Sequence, residues 1–163
     1  MSECCPLFHP EKWDEKKITW KARPFVMESI PAFFHIPFPP MIGKKITRMM
    51  GLIEAAGMEE KKIEDTLILF RDPTPFRSEI YISTAGPVNG AKNTELSGNF
   101  AAKVFDGNYN DIPKFAKVMR EYLKSKLNIP RVEDGDFYVH YAYCPKCQKK
   151  FGHNYMILFA RIG

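Results

Sequence analysis

The sequence predicts an α+β fold, in which an antiparallel sheet carries two main helices and is built from a duplicated βαββ unit. Two stretches about 70 residues apart, 25–82 and 96–162, repeat one order of strand, turn, amphipathic helix and two short strands. Their helical and strand-like segments also align in apolar pattern. Because only two copies exist, a solenoid is excluded, and a pseudo-twofold groove between the halves is expected to bind a ligand.

The first repeat opens with a predicted strand over 25–38, which ends where the prolines at 37, 39 and 40 cannot continue a ladder. Residues 41–58 have apolar side chains at helical spacing, although Gly51 interrupts them, and Gly57 follows as a terminator. Two strands over 66–70 and 79–83 then flank a proline-rich turn at 72–75.

The second repeat follows the Gly/Pro/Asn-rich loop over 85–93. A strand is predicted over 96–105, and a helix over 112–127 has Pro113 in its first turn. Strands over 137–143 and 155–162 complete the repeat. The two helix faces align as Ile46, Met49, Met50 and Ile53 against Phe115, Ala116, Met119 and Leu123.

One domain of 163 residues is predicted, with an N-terminal arm over 1–22, a first repeat over 23–90 and a second over 91–163. The polar arm carries Trp13 and Trp20, so we expect it to pack onto the domain. The 45 % hydrophobic and 26 % charged residues are typical of a globular protein.

The net charge of +5 comes from lysines scattered along the chain, with no Arg-rich block interleaved with aromatics. A solvated surface is therefore predicted, and not a nucleic-acid partner. The N-terminus has no signal-peptide pattern, and no apolar stretch reaches the length of a membrane span. A cytoplasmic, reducing location follows as the expectation, for a monomer or homodimer whose cysteines are thiols or metal ligands.

Four cysteines fall at the two ends of the chain, as Cys4-Cys5 and as Cys144 and Cys147 in a CxxC pattern. The CxxC lies in the predicted tip of the last hairpin and resembles a zinc knuckle, which supplies two of four thiolates. If the arm folds back, Cys4 and Cys5 complete a structural zinc site, with His9 and His153 in reserve. Free thiols remain an alternative, and redox chemistry is disfavoured because a hairpin tip lacks a helix dipole.

Glu79 is the leading candidate for chemistry, because a carboxylate between Ile80 and Ile82 is expected to be partly desolvated. It suits general acid/base work or the binding of a cation; the alternative is an edge-strand carboxylate in water. Tyr81 shares its strand face, since side chains two apart point the same way. By the repeat, Tyr138 and His140 share the equivalent face, which adds a phenol and an imidazole. Further ligand-binding candidates are Glu28, Phe33, His35, Phe70, Tyr81, Tyr109 and Tyr155.

The segment 96–109, followed by a helix, resembles the gyrase-inhibitor-like (GyrI-like) small-molecule-binding domains, in which SHS2-like units are duplicated. Phe105, Gly107 and Tyr109 match the Phe/His-x-Gly-x-Tyr turn of those domains. The cysteines near both ends are similar to a stand-alone branch whose members are often described as hydrolases. The opening segment is too short for the DNA-binding arm of the activators in that superfamily.

The resemblance implies a pocket for an apolar or cationic molecule, lined by aromatics and a glutamate. A cytoplasmic binder of such a ligand is the first hypothesis. The second is a hydrolase of reactive, cyclopropanoid-type toxins, in which Glu79 orients water with help from His140 or Tyr138. Asn154 and Tyr155 replace a glutamate that often precedes the final strand in the family. The third hypothesis is a protein-interaction module stapled by zinc.

Overall fold

A computed structural model of the chain describes residues 5–33, 36–37 and 39–163. It is a mixed α+β structure, in which the strand pairs are antiparallel and the described residues form three α-helices. The α+β class and the antiparallel pairing are therefore confirmed.

The chain divides into two compact units. The central unit is Trp20–Ser97. The terminal unit combines the described residues of Met1–Thr19 with Gly98–Gly163. The arm thus belongs to the same unit as the second repeat. The predicted domain boundaries and the groove between the repeats stay predictions.

The central unit contains strand β1 (Lys16–Phe33, entering from the terminal unit), β2 (Ile36–Pro37), helix α1 (Pro39–Ala56), β3 (Ile68–Thr74) and β4 (Arg77–Ser83). Its strands are ordered β2-β1-β4-β3. In the register, Ser29 pairs with Glu79, and Arg71 pairs with Glu79 from the other side. Strand β4 is therefore flanked on both edges.

Helix α1 covers one face of this sheet. Met49 and Ile53, one helical turn apart, are fully buried against Val26 and Ile80. Side chains alternate along a strand, so the residues between these core positions point to the opposite face. Glu79 and Tyr81 lie on that opposite face.

The terminal unit contains β5 (Asn93–Asp106, entering from the central unit), α2 (Ile112–Leu127), β6 (Phe137–Tyr141), α3 (Pro145–Phe151) and β7 (Tyr155–Arg161). Its strands are ordered β6-β7-β5. Met119 and Leu123 of α2 are buried against Met156 and Leu158. In this unit too, a helix covers one sheet face.

Three local predictions were wrong. The first strand begins at Lys16 and not at 25, so the lead-in is partly sheet. The predicted turn at 72–75 is mostly strand: β3 runs to Thr74 through a register shift between Arg71 and Thr74, which accommodates Pro73. The CxxC tip is not a simple hairpin, because α3 lies between β6 and β7 and Cys144 is its N-cap, so the stated reason against redox chemistry, the lack of a helix at this tip, is wrong.

The prediction of α2 over 112–127 matches the structure residue for residue. Pro113 lies in the first turn, and Asn128 ends the helix in the left-handed conformation with φ of 57°. None of the described helices is both long and apolar enough to cross a bilayer.

Candidate functional site

Glu79 occupies the middle strand of the ordered trio β1-β4-β3 and is only 4 % exposed, so the edge-strand alternative is wrong. Its Oε1 accepts hydrogen bonds from Arg71 Nη1 and from the Tyr81 hydroxyl, both at 2.7 Å. Its Oε2 lies 3.2 Å from Arg77 Nη2. A buried carboxylate thus has donors at both oxygens, as burial of a charge requires.

The register explains this cluster. Arg71 pairs directly with Glu79 across β3 and β4, and Tyr81 follows two residues later on the same face. Phe25 from β1 meets Tyr81 edge-on, with ring centroids 6.3 Å apart. We call Arg71, Glu79 and Tyr81 the β4 polar cluster, which lies beside aromatic rings.

Glu28 is also buried, but it lies on the other face of the same sheet, because it pairs with Ile80 of the α1-covered core. Lys45 Nζ and Arg48 Nη1 of α1 lie 3.2 and 3.0 Å from its two oxygens. The structure therefore does not bring Glu28 and Glu79 to one side of the sheet. The predicted role of Glu28 in ligand binding stays a prediction.

Tyr138 and His140 lie on β6 in the terminal unit, on the face that α2 does not cover. Tyr138 is buried and meets Phe100 edge-on, with ring centroids 6.0 Å apart. His140 is half-buried. Both therefore occupy the predicted shared face within their own unit.

The remaining ligand-binding candidates are dispersed. Phe70 packs on the α1 side of its sheet, and Tyr109 is exposed and stacks on Tyr141 at 6.4 Å. Tyr155 stacks on His153 at 4.7 Å. Burial raises the pKa of Tyr155 above its usual value, and the Asp106 carboxylate adds to the rise. His35 and the side chain of Phe33 lie outside the described residues.

The sulfurs of Cys5, Cys144 and Cys147 all lie within 4.8 Å of one another. Cys147 is buried, and the other two are half-buried. These three residues form what we call the thiol cluster, and they could hold a metal ion. The predicted meeting of the two chain ends is confirmed for these three cysteines. Cys4 lies outside the described residues.

The local sequence builds one side of the thiol cluster. Cys144 is the N-cap of α3 and Pro145 follows as its first residue, so Cys147 lies one helical turn away on the same side. Gly152 ends the helix with φ of 72°. The ring of Tyr143, just before the helix, stacks on the ring of Phe151, its last residue, with centroids 4.7 Å apart.

The arm supplies the other side. The backbone N–H of Cys144 donates to Cys5 Sγ at 3.3 Å, and that of Phe8 donates to the Tyr143 hydroxyl at 2.9 Å. Further along, Trp13 meets Phe159 edge-on at 5.8 Å. The packing predicted for the arm from its aromatic residues is thereby confirmed for Trp13.

The reserve histidines pair elsewhere. His153 Nδ1 lies 2.8 Å from Asp106 Oδ2, and His9 Nδ1 lies 3.3 Å from Glu11. Burial alone raises the pKa of Asp106, but the hydrogen bonds from His153 and from the Asn154 N–H outweigh it and hold that pKa below its ordinary value. The thiol cluster as found contains sulfur ligands alone.

Sequence reasoning missed Arg71 and the Asp106–His153 pair. Arg71 lies directly before the predicted turn at 72–75 and outside the predicted strand over 66–70, so its pairing with Glu79 depends on β3 continuing to Thr74. The position of Asp106 depends on β5 reaching Asp106, one residue beyond the predicted strand end, where it pairs with Tyr155.

A family model described as bacterial hydrolase matches residues 1–162, almost the whole chain. No curated protein matches the chain.

Proposed function

We propose that this chain, which belongs to the bacterial hydrolase family, hydrolyses an apolar or cationic small molecule at the β4 polar cluster. The observation that carries the proposal is the burial of Glu79 with a phenol hydrogen-bonded to its Oε1. A carboxylate, a phenol and aromatic neighbours together suit acid/base chemistry on an apolar substrate.

In the proposed reaction, Glu79 orients a water molecule and takes one of its protons as the water oxygen attacks an electrophilic carbon. The bond from that carbon to the leaving group breaks, and the leaving group receives the proton. Arg71 and Tyr81 keep the carboxylate in one orientation through their two bonds to Oε1. Such pre-orientation lowers the cost of reaching the reactive geometry.

The test is a Glu79→Gln variant assayed with a panel of reactive electrophiles: activated esters, epoxides and cyclopropanoid compounds. Loss of a general base lowers turnover by about 100-fold or more. Incorporation of ¹⁸O from labelled water into the product identifies hydrolysis directly. A Glu79→Gln protein that keeps its turnover contradicts the proposal.

Glu28→Gln is the matched control. It removes a second buried carboxylate from similarly cationic surroundings, but on the face covered by α1. We expect turnover to persist in Glu28→Gln, a result that would also count against the predicted role of Glu28 in ligand binding. Equal losses in both variants would trace the effect to stability and not to chemistry. Tyr138→Phe and His140→Ala test the predicted catalytic roles of these two residues, since a residue that assists Glu79 should lower turnover when it is replaced.

A ligand binder without turnover remains the alternative for the same residues. The β4 polar cluster supports it equally, because Glu79 can bind a cation without reacting. Ligand binding that persists in Glu79→Gln, with no turnover of any electrophile by the parent, would favour this alternative. A ligand pocket beside the β4 polar cluster, the SHS2-like duplication of the chain and its kinship with GyrI-like domains also belong to the proposal.

A zinc-stapled interaction module is a second candidate function, and the thiol cluster favours it. Structural zinc is the proposed cofactor in either case, because thiolate ligands suit zinc. Co-purification of a stoichiometric protein partner that is lost on chelation would support the module. If the parent protein hydrolyses substrate equally well with and without zinc, the metal has a structural and not a catalytic role.

A further inference from the structure

The thiol cluster draws its ligands from opposite ends of the chain, since Cys5 and Cys144 are 139 residues apart. We infer that these three sulfurs bind one zinc ion whose task is to fasten the N-terminal arm, residues 5–15, onto the α3 segment. This inference does not depend on the hydrolase proposal, because none of its residues belongs to the β4 polar cluster.

The distances suit one ion. Zinc bonds thiolate sulfur at about 2.3 Å, so sulfurs at the corners of a tetrahedron around it lie about 3.8 Å apart. The three sulfurs here lie within 4.8 Å of each other. Closing on an ion needs shifts of no more than about 1 Å. A disulfide, by contrast, would join only two of the three.

The surroundings suit a metal thiolate. Cys147 is 3 % exposed, and a buried thiolate requires a compensating positive charge. The Cys144 N–H points at Cys5 Sγ, and such a donor stabilises charge on a ligating sulfur.

The contacts of the arm divide it into two parts. The part next to the thiol cluster is held by Phe8, which bonds Tyr143 and packs on Tyr155 at 5.3 Å. The part further along is held independently: Asp14 Oδ1 accepts from the Val104 N–H at 3.0 Å. Loss of the metal is therefore expected to free residues 5–8 first, while Asp14 stays docked.

The first experiment measures zinc in the full-length protein, purified without chelator under reducing conditions. We expect about one zinc per chain, and Co²⁺ substitution should give thiolate charge-transfer bands of a tetrahedral site. Less than about 0.2 equivalents after incubation with zinc would overturn the inference. A mass 2 Da lower, with two of the four thiols no longer reactive in the unfolded protein, would show one disulfide instead and would also overturn it.

The second experiment follows the arm itself by hydrogen exchange in the parent protein before and after chelation. The Phe8 and Cys144 amides should lose protection, while the Val104 amide, which is bonded to Asp14, should keep it. Re-addition of zinc should restore protection. An exchange pattern unchanged by chelation would contradict the role of the metal in fastening the arm.

Variants make the assignment residue-specific. Cys144→Ser should bind less than about 0.2 zinc per chain. Tyr143→Phe is the matched control, because it removes the bond to Phe8 and leaves all thiols in place. It should keep the full zinc content while exchange at Phe8 accelerates. Loss of zinc in Tyr143→Phe would contradict a site built from the sulfurs alone.

Discussion

The central and terminal units differ more in the buried sheet faces that point away from their helices than in the helix-covered ones. In both units, a methionine and an aliphatic residue one turn later are fully buried on the helix: Met49 and Ile53 in α1, Met119 and Leu123 in α2. On the face that points away from α1, the central unit has the β4 polar cluster. The terminal unit has the aromatic side chains of Tyr138, Phe100 and Phe159.

Apolar packing against a helix and a buried ion pair place different demands on the sequence. The helix-covered faces need only apolar side chains of the right volume, and similar residues meet that need twice. An ion pair such as Arg71–Glu79 needs two specific residues in register, and the facing positions of the terminal unit do not repeat it. Function is therefore expected to differ between the two units.

The largest expected effect on stability comes from truncating the buried methionines of the two helices. Met49→Ala and Met119→Ala each remove a fully buried side chain, so each should lower the free energy of unfolding by about 2–5 kcal/mol. Chemical denaturation of the two variants measures the loss. If one costs less than about 0.5 kcal/mol, the two helix faces are not equivalent in energy.

Next in size is the β4 polar cluster. Arg71→Met removes one of the two donors at 2.7 Å from the buried Glu79, and should lower the free energy of unfolding by about 1–3 kcal/mol. Arg77→Met is the matched control: its side chain is 54 % exposed, against 26 % for Arg71, and lies at 3.2 Å. A cost below about 0.5 kcal/mol is expected there. Equal costs would show that burial does not set the strength of these pairs.

A pair of glycines sharpens the comparison further. A Cβ on Gly107 would lie 2.6 Å from Phe115 Cζ and 2.9 Å from Asp111 Oδ2, so Gly107→Ala should cost about 1–3 kcal/mol. Gly51 is exposed within α1 and has open space around its Cβ position. Gly51→Ala should instead stabilise by about 1 kcal/mol. Thermal unfolding with opposite shifts in the two variants is the expected result.

The smallest effect is a pH dependence in the terminal unit. Because the folded pKa of Asp106 is lowered, its contribution to stability is present above its unfolded pKa and is lost as pH falls through the folded value. His153→Ala should therefore lower the melting temperature at neutral pH, and the gap should close below about pH 4. His9→Ala, which loses an exposed pair with Glu11, is the control. A gap that persists at low pH would refute the assignment.

Periodicity predicted most of the fold, because burial on one helix face leaves a strong trace in the sequence. The bounds of α2 are an example, since Pro113 and Asn128 mark its two ends. The early start of β1 was missed because Lys16 and Lys17 carry charge into a strand, which only tertiary pairing can stabilise. Pro73 inside β3 was missed because a local bulge absorbs it.

The candidate site was predicted in part. Alternation along one strand was enough to place Glu79 with Tyr81, and the spacing of Cys144 and Cys147 was enough to suggest a metal. Strand register, which sequence does not give, decides that Arg71 faces Glu79 and that Glu28 lies on the other side. The N-cap position of Cys144 likewise depended on a helix too short to show periodicity.

The reach of the arm has a consequence for synthesis. The Phe8 N–H donates a hydrogen bond to Tyr143, 135 positions later, and Asp14 accepts one from Val104, 90 positions later. On a ribosome, Asp14 can find Val104 while Tyr143 is still being made, so the arm should dock from its inner end outward. We therefore expect the contacts around Phe8 to form after the contact between Asp14 and Val104.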